Sequence, residues 1–366
     1  MKIVKIFEQV PDFRTEKKVY HLLSDILIST LCAVLSGADD FEEIAEYSRE
    51  KEEFLCTFLE FKNGIPSHDT YRRVFIHLDT AAFERCLVEY SEEIIKELED
   101  RQINIDGKIL KATGKRGKKN SAICIVSAWA SEHCLSLGQS KVDKKSNEKT
   151  AIPQIIETVD VTDALVSIDA MGCDTKIATL IRSNGGDYLL ALKKNQKNLY
   201  EEVHDWMLCF EQTLESDEQT DYVGGRIEKR TTYVCNDLTY IDESQKWMDS
   251  KSIIMIKSER HFKSGLEKAS TKIRFFISSK LENAKYFAER IRKHWSIENQ
   301  LHWYLDVVFK EDKQRLKQGN APENMAVMRK LALQSLLKNK GRKSMKTFRK
   351  KIAWNEDLLV DVLLNF

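Results

Sequence analysis

INIDGKILKATGKRGKK, residues 103–119, is the stretch from which the rest of the chain can be read. Ile103 and Ile105 alternate with polar residues as in a half-buried strand, and Asp106 follows directly. Gly107 and Lys108 open a run with six basic residues (Lys108, Lys111, Lys115, Arg116, Lys118, Lys119) and no acid. A carboxylate fixed on a strand, beside a loop of positive charge, suits a site that holds a divalent cation and a phosphodiester together.

Working outward, strand-like runs at 103–106, 121–130 and 134–142 are followed by a helix at 150–159. A strand at 164–171, a helix at 173–184 and a strand at 187–193 come next. Three strands followed by alternating helix and strand is the order of an α/β, ribonuclease-H-like mixed sheet flanked by helices. In that topology the first and fourth strands are neighbours, which brings together Asp106 and Asp169, 63 residues apart.

Residues 1–98 read as a helical region. Within it Ser67 is a good N-cap for a helix carrying Thr70, Arg72 and Arg73. A short turn feeding a capped helix with paired arginines resembles a helix-turn-helix recognition element; an ordinary helical hairpin with surface arginines fits as well. The catalytic core is expected at 99–195 and 276–345. A β-rich insertion at 196–275 has strand-like runs at 231–241, 252–257 and 272–278, and 346–366 reads as a basic and apolar C-terminal tail. One long helix is expected from 283 to 306, with Trp295 and Trp303 packing into the core.

Hydrophobic residues make up 42% of the 366 and charged residues 31%, which excludes a disordered chain. Net charge is +1, so no global positive field advertises nucleic acid; residues 338–351 nevertheless carry eight Lys/Arg and no acid. Eight scattered cysteines with no CxxC pair indicate neither a zinc site nor a disulfide framework, and fit a reducing compartment. The N-terminus lacks a signal-peptide core, and the apolar run from His21 to Leu35 is too short and too interrupted to span a bilayer. A soluble, cytoplasmic protein with no membrane partner is expected.

Three carboxylates on separate elements, Asp106, Asp169 and Glu298, can together hold two divalent ions for in-line phosphoryl displacement. Mg²⁺ is the natural ion, with Mn²⁺ able to substitute. Asp163 and Asp174 flank the second position, and Asp306, Glu311 and Asp312 follow the third. Glu298, His302 and Asp306 stand at i, i+4 and i+8, so His302 and Asp306 are candidates to support the ligands from behind. Lys193, Lys194 and Asn195 follow the last core strand and suit either phosphate contact or a solvated loop.

Several longer motifs carry a resemblance: INIDGK (103–108), SIDAMGC (167–173), DYLLALKKNQ (187–196), GGRIEKR (224–230), HWSIENQLHWYLDVVFKED (294–312) and IPSHDTYRRVF (65–75). Through them the chain resembles the DDE-class insertion-sequence transposases, in the branch containing the H-repeat-associated proteins. The resemblance implies a ribonuclease-H-like fold and an acidic triad of Asp106, Asp169 and Glu298. It also implies a DNA-binding N-terminal region, with DNA cleaved and joined at the ends of a mobile element. Double-stranded DNA, both element ends and target, would be the partner of a homodimer, associated with the nucleoid. The candidate DNA contacts are Lys108, Lys115, Arg116, Lys118, Lys193, Lys194, Arg72, Arg73, Arg292 and Lys293. Cut-and-paste relatives carry a Tyr and an Arg before the Glu and a Lys after it. Here Ile291, His294 and Leu305 stand at those spacings. A hairpin route is therefore not carried over, and the work of gripping phosphate passes to Arg290, Arg292, Lys293 or His302. The rival readings are a catalytically silent DNA-binding relic or regulator, and a stand-alone nuclease.

Overall fold

The structure, a computed structural model, describes residues 2–15, 19–96, 101–114, 122–142, 148–262 and 270–365, without the side chains of 92–96, 148–149 and 223. Its described strands are β1 (Gln102–Leu110), β2 (Ile123–Ala130), β3 (Leu135–Lys141), β4 (Leu165–Ile168) and β5 (Asp187–Leu192), then β6 (Glu215–Val223), β7 (Arg226–Cys235), β8 (Ser252–Phe262) and β9 (Ser270–Ser278). They form one mixed sheet in the order β3-β2-β1-β4-β5-β9-β8-β7-β6. β2 and β3 are antiparallel, whereas β1–β4 and β4–β5 are parallel. The fold is the ribonuclease-H-like α/β sheet that the strand order predicts.

The expected insertion contributes strands to this same sheet, because β9 pairs with β5 and β8, β7 and β6 follow in antiparallel order. A helix, Lys197–Cys209, precedes them and buries Leu199, Val203 and Met207 at helical spacing. β6, with the sequence ESDEQTDYV, has no apolar alternation and is set by its turn. Val223 pairs with Arg226, leaving Gly224-Gly225 as a two-residue loop with φ of +53° and +78°. Two successive positive φ values are the requirement of the hairpin turn whose twist matches its strands.

The chain forms two compact units, one comprising Met1–Leu98, Gly107–Asn147 and Glu298–Phe366, the other Glu99–Asp106 and Glu148–Ile297. The second is built on β4, β5 and β9–β6, with the helix Ala284–His294 laid on one face. Phe287 and Ile291 of that helix pack with Leu165, Leu189, Ile254 and Phe276. Each such buried side chain contributes about 1.5–3 kcal/mol.

The first unit is organised on the helix Ala321–Asn339, whose Ala321 to Leu336 are all buried. It packs against the helices Leu23–Ser36, His68–His77 and Thr80–Lys96, and against β3. The C-terminal residues are not a tail: two helices, Met345–Trp354 and Glu356–Leu364, bury Phe348, Ile352, Leu359, Val362 and Leu363. Their apolar period sits beneath the basic run and anchors it. Asn320 and Asn324 latch the hub helix to the end of His68–His77. Asn324 Nδ2 donates to Phe75 O (2.9 Å) and Leu78 O (3.1 Å), and Asn320 Nδ2 donates to Leu78 O (3.0 Å).

Gly319 enters this latch at φ +54°, and a Cβ there would meet Ile76 O at 2.6 Å; Gly341 has the same φ but open space around it. Gly341→Ala should therefore cost only the left-handed penalty, about 1 kcal/mol, and Gly319→Ala at least about twice that, since backbone must also move. Chemical denaturation of the two variants checks the difference, and equal costs would contradict it.

Candidate active site and its surroundings

The register of β1 on β4 pairs Gln102 with Leu165, Asn104 with Ser167 and Ile105 with Ile168. Asp106 and Asp169 are each the next residue, so the two acids leave adjacent parallel strands, about 4.8 Å apart in the pairing direction, at the same end. Both are half-buried. Asp169 accepts from Met171 N (2.9 Å) and caps the turn Ala170–Gly172, which fixes the direction of its carboxylate. The turn after β5 is clamped to the same place: Asn195 Nδ2 donates to Ala170 O (2.8 Å) and Gln196 Nε2 to Cys173 O (2.9 Å). Lys193 and Lys194, both exposed, are thereby held beside the Asp169 turn.

Because side chains alternate along a strand, Gln102, Asn104 and Asp106 share one face, as do Leu165, Ser167 and Asp169. Leu165 lies under the helix Ala284–His294, so this is the helix-covered face. Directly behind the acids a buried polar clasp joins strands to helix. Asn104 Oδ1 accepts from Gln102 Nε2 (2.9 Å) and from Ser167 Oγ (2.5 Å). Asn104 Nδ2 donates to Lys293 O (3.2 Å), and Gln102 Nε2 to Arg290 O (2.8 Å). Ser167 Oγ also lies 2.9 Å from His294 Nδ1. Since the serine proton goes to Asn104, the histidine donates through Nδ1–H. Burial pushes the His294 imidazole down to about 4, with the Asp169 carboxylate pulling the other way, so the ring is neutral near pH 7. In the sequence, the one signal that marks Asn104 and Ser167 is a polar residue at an inward strand position.

The long helix expected over 283–306 is not continuous. It ends at His294, resumes as a π-helical segment Ile297–His302 and closes with the short helix Trp303–Val307. Strand amides donating to the carbonyls of Arg290 and Lys293 compete with the helical ladder just upstream, a recognised cause of such breaks. Glu298 lies exposed in the first turn of the π segment, a rare geometry that is frequent at functional sites. Trp295 and Trp303, expected in the core, are 39% and 51% exposed. Trp295 instead carries the Arg274 guanidinium over its ring at 5.2 Å.

Several expected DNA contacts sit differently from the sequence reading. Lys108 is not on an open loop, because β1 runs on to Leu110. Its buried ammonium lies 2.5 Å from both Asp306 and Glu311. Asp306 thus partners Lys108, while burial, reinforced by Lys108 and Lys330, pushes His302 down to about 3. Arg292 is bound by Asp221 at 2.6 Å, and this contact first, then Arg230, holds the Asp221 carboxyl low. Arg72 donates to Gln318 Oε1 (3.1 Å), Arg73 is exposed, and Lys293 is half-buried. Lys115, Arg116 and Lys118 lie outside the described residues.

Mg²⁺ is commonly held by one or two carboxylates completed by waters and substrate phosphates, not by an all-protein cage. Paired, half-buried Asp106 and Asp169 fit that requirement. Among the described residues no three or more His, Cys, Asp or Glu side chains form a ready-made metal cluster.

His294 gives the clasp a pH signature. An imidazole near 4 in the folded state and 6.5 unfolded favours folding above pH 6.5, and that stability is lost as pH falls toward 4, by up to about 3 kcal/mol. His294→Gln keeps a donor toward Ser167 but does not titrate, so its stability should fall less between those values. Denaturant midpoints across the range test this, and parallel curves would count against it.

Known proteins give the chain its relations. Residues 4–91 match the model described as DDE_Tnp_1-associated, and residues 97–334 the model of the transposase DDE domain. "Putative transposase YncI" of Escherichia coli O157:H7 is 39% identical over 97% of this chain and 92% of its own length. "H repeat-associated putative transposase YhhI" of E. coli K12 is 36% identical over 99% and 98%. "Putative protein YbfL" of the same strain gives the same three figures. With a domain model covering most of its length and near full-length relatives, the chain belongs to the DDE transposase family.

Proposed function

We propose that this transposase-family protein cuts DNA at the ends of an insertion element and joins those ends to target DNA. The observation that carries this reading is the placement of Asp106 and Asp169 immediately beyond the last paired residues of two parallel neighbouring strands. Glu298, on the π segment that follows the clasped helix, supplies the third carboxylate. The three together would hold two Mg²⁺ ions, with Mn²⁺ as a substitute. Bound there, divalent ions favour the attacking oxygen and stabilise the leaving oxygen of an in-line displacement.

The chain's own residues position and bind. Asp169 is held by its backbone cap, and the clasp of Gln102, Asn104, Ser167 and His294 keeps both acid-bearing strands against the helix. Lys193 and Lys194 would grip phosphates beside the cut, and Arg73 and Arg72 would contact duplex from the N-terminal helix. Water attacks the phosphorus, and the bond to the 3′ oxygen breaks, releasing a 3′ hydroxyl. That hydroxyl then attacks a target phosphodiester, forming a new bond and expelling the target's 3′ oxygen. Two ends must be held for joining, so the active species would be a homodimer on DNA. No helix among the described residues is long and apolar enough to cross a membrane.

The test is cleavage of a labelled duplex carrying the element's own ends, in Mg²⁺ or Mn²⁺. Asp106→Ala, Asp169→Ala and Glu298→Ala should each bind the duplex as wild type does. Cleavage should drop at least about a thousandfold, matching the several kcal/mol that metal stabilisation of a transition state supplies. Wild-type protein that binds the ends and cuts under neither ion would establish the silent DNA-binding relic instead.

A further inference from the structure

We infer that the outer face of the helix Met345–Trp354, with the segment leading into it, is a second duplex-binding surface that grips the phosphate backbone without reading sequence. This rests on the reading that the protein acts on DNA. The helix buries Met345, Phe348, Arg349 and Ile352 on one side. Lys346, Lys350 and Trp354 follow at i, i+4 and i+8 on the other, with Lys351 beside them, and all four are exposed. Lys338 and Arg342, also exposed, extend the patch before the helix.

Three features separate this patch from an ordinary solvated face. No acid occurs in 338–351, and among the described residues none of Lys338, Arg342, Lys346, Lys350 and Lys351 has an ion-pair partner. By contrast, two of the expected DNA cations have carboxylate partners: Lys108 is held by Asp306 and Glu311, and Arg292 by Asp221. Second, the helix is held rigidly. Arg349 donates from Nη1 to Val308 O and from Nη2 to Val34 O, each at 2.6 Å, with its guanidinium over the Phe309 ring at 4.4 Å. Cations on a fixed helix keep their spacing, about 6 Å between Lys346 and Lys350, so no backbone ordering is needed on binding. Third, Trp354 is 75% exposed at the end of the row, a flat apolar face beside cations that suits the sugar edge of a backbone. A partner with closely spaced, repeated negative charge complements this surface, and a DNA duplex is such a partner.

The measurement is fluorescence anisotropy of a labelled random-sequence duplex without divalent metal, across NaCl from about 50 to 200 mM. The protein is full-length, as wild type and as the triple variant Lys346→Gln, Lys350→Gln, Lys351→Gln. Each lost phosphate contact lowers the slope of log K against log salt by about 0.9, so the variant's slope should be shallower by about 2–3 and its affinity at 0.1 M salt at least about tenfold weaker. The charge-keeping variant Lys346→Arg, Lys350→Arg, Lys351→Arg should restore both, which a folding defect would not. An unchanged slope in the Gln variant, with an unchanged melting curve, overturns the inference. So does wild-type binding to vesicles with an anionic lipid fraction that the Gln substitutions abolish while leaving duplex binding intact. Because metal is absent, a protein that binds duplex through these lysines yet never cleaves leaves this surface standing and removes only the cleavage reading.

Discussion

The parallel pairing of β1 with β4 is the constraint on which the site depends, and its register is specified by polar side chains as much as by apolar ones. Asn104 and Ser167 face each other across the pair and bond each other directly. A slip of one residue in β1 would turn Asn104 away and aim Ile103 and Ile105 at the helix carbonyls. The amides of Gln102 and Asn104 would then lose their acceptors, and each unsatisfied buried group costs about 1–3 kcal/mol. The register that satisfies the clasp is the one that sets Asp106 beside Asp169. Specificity at the strand ends is therefore secured two residues earlier.

The other half of β1 solves a different problem. Past Gly107 the strand buries Lys108, and a buried ammonium is tolerated only when paired. Asp306 and Glu311 provide the pairing. The hub helix meets the same demand with neutral acceptors: Lys330, fully enclosed, donates to Ser127 Oγ (2.8 Å) and Gln139 Oε1 (2.5 Å), and burial lowers it to about 8. Glu323 likewise meets Lys141. Buried charge of this kind adds little net stability, yet removing one member leaves the other stranded, so these residues hold β2, β3 and the hub helix in one arrangement.

Much of this was readable from local pattern. Ile103 and Ile105 identify β1, Ser67 caps the helix it is expected to cap, and the neighbouring strands before Asp106 and Asp169 follow from the order of elements once it is matched to a ribonuclease-H-like topology. What failed had identifiable causes. β6 is polar on both faces, so only the Gly224-Gly225 loop announced it. The break after His294 comes from side-chain amides more than 180 residues upstream in sequence, which no helical period can report. Lys108 reads as part of a basic loop free to meet DNA because its partners lie about two hundred residues away, at Asp306 and Glu311. Trp295 and Trp303 were placed inside by hydrophobicity, although a large aromatic on a helix need not face the core.

A net charge of +1 says little about such a molecule, because the fold sorts its cations into two populations. Lys108 of β1 and Lys141 of β3 are paired with buried or half-buried carboxylates, and their fields are largely cancelled nearby. Those on the turn after β5, and on the outer face of Met345–Trp354, are exposed on well-anchored backbone. At physiological salt the screening length is about 8 Å, so a phosphate approaching the second population feels those nearby charges and not the chain's total. Position of charge, set by which residues the core must bury, decides where a polyanion can settle.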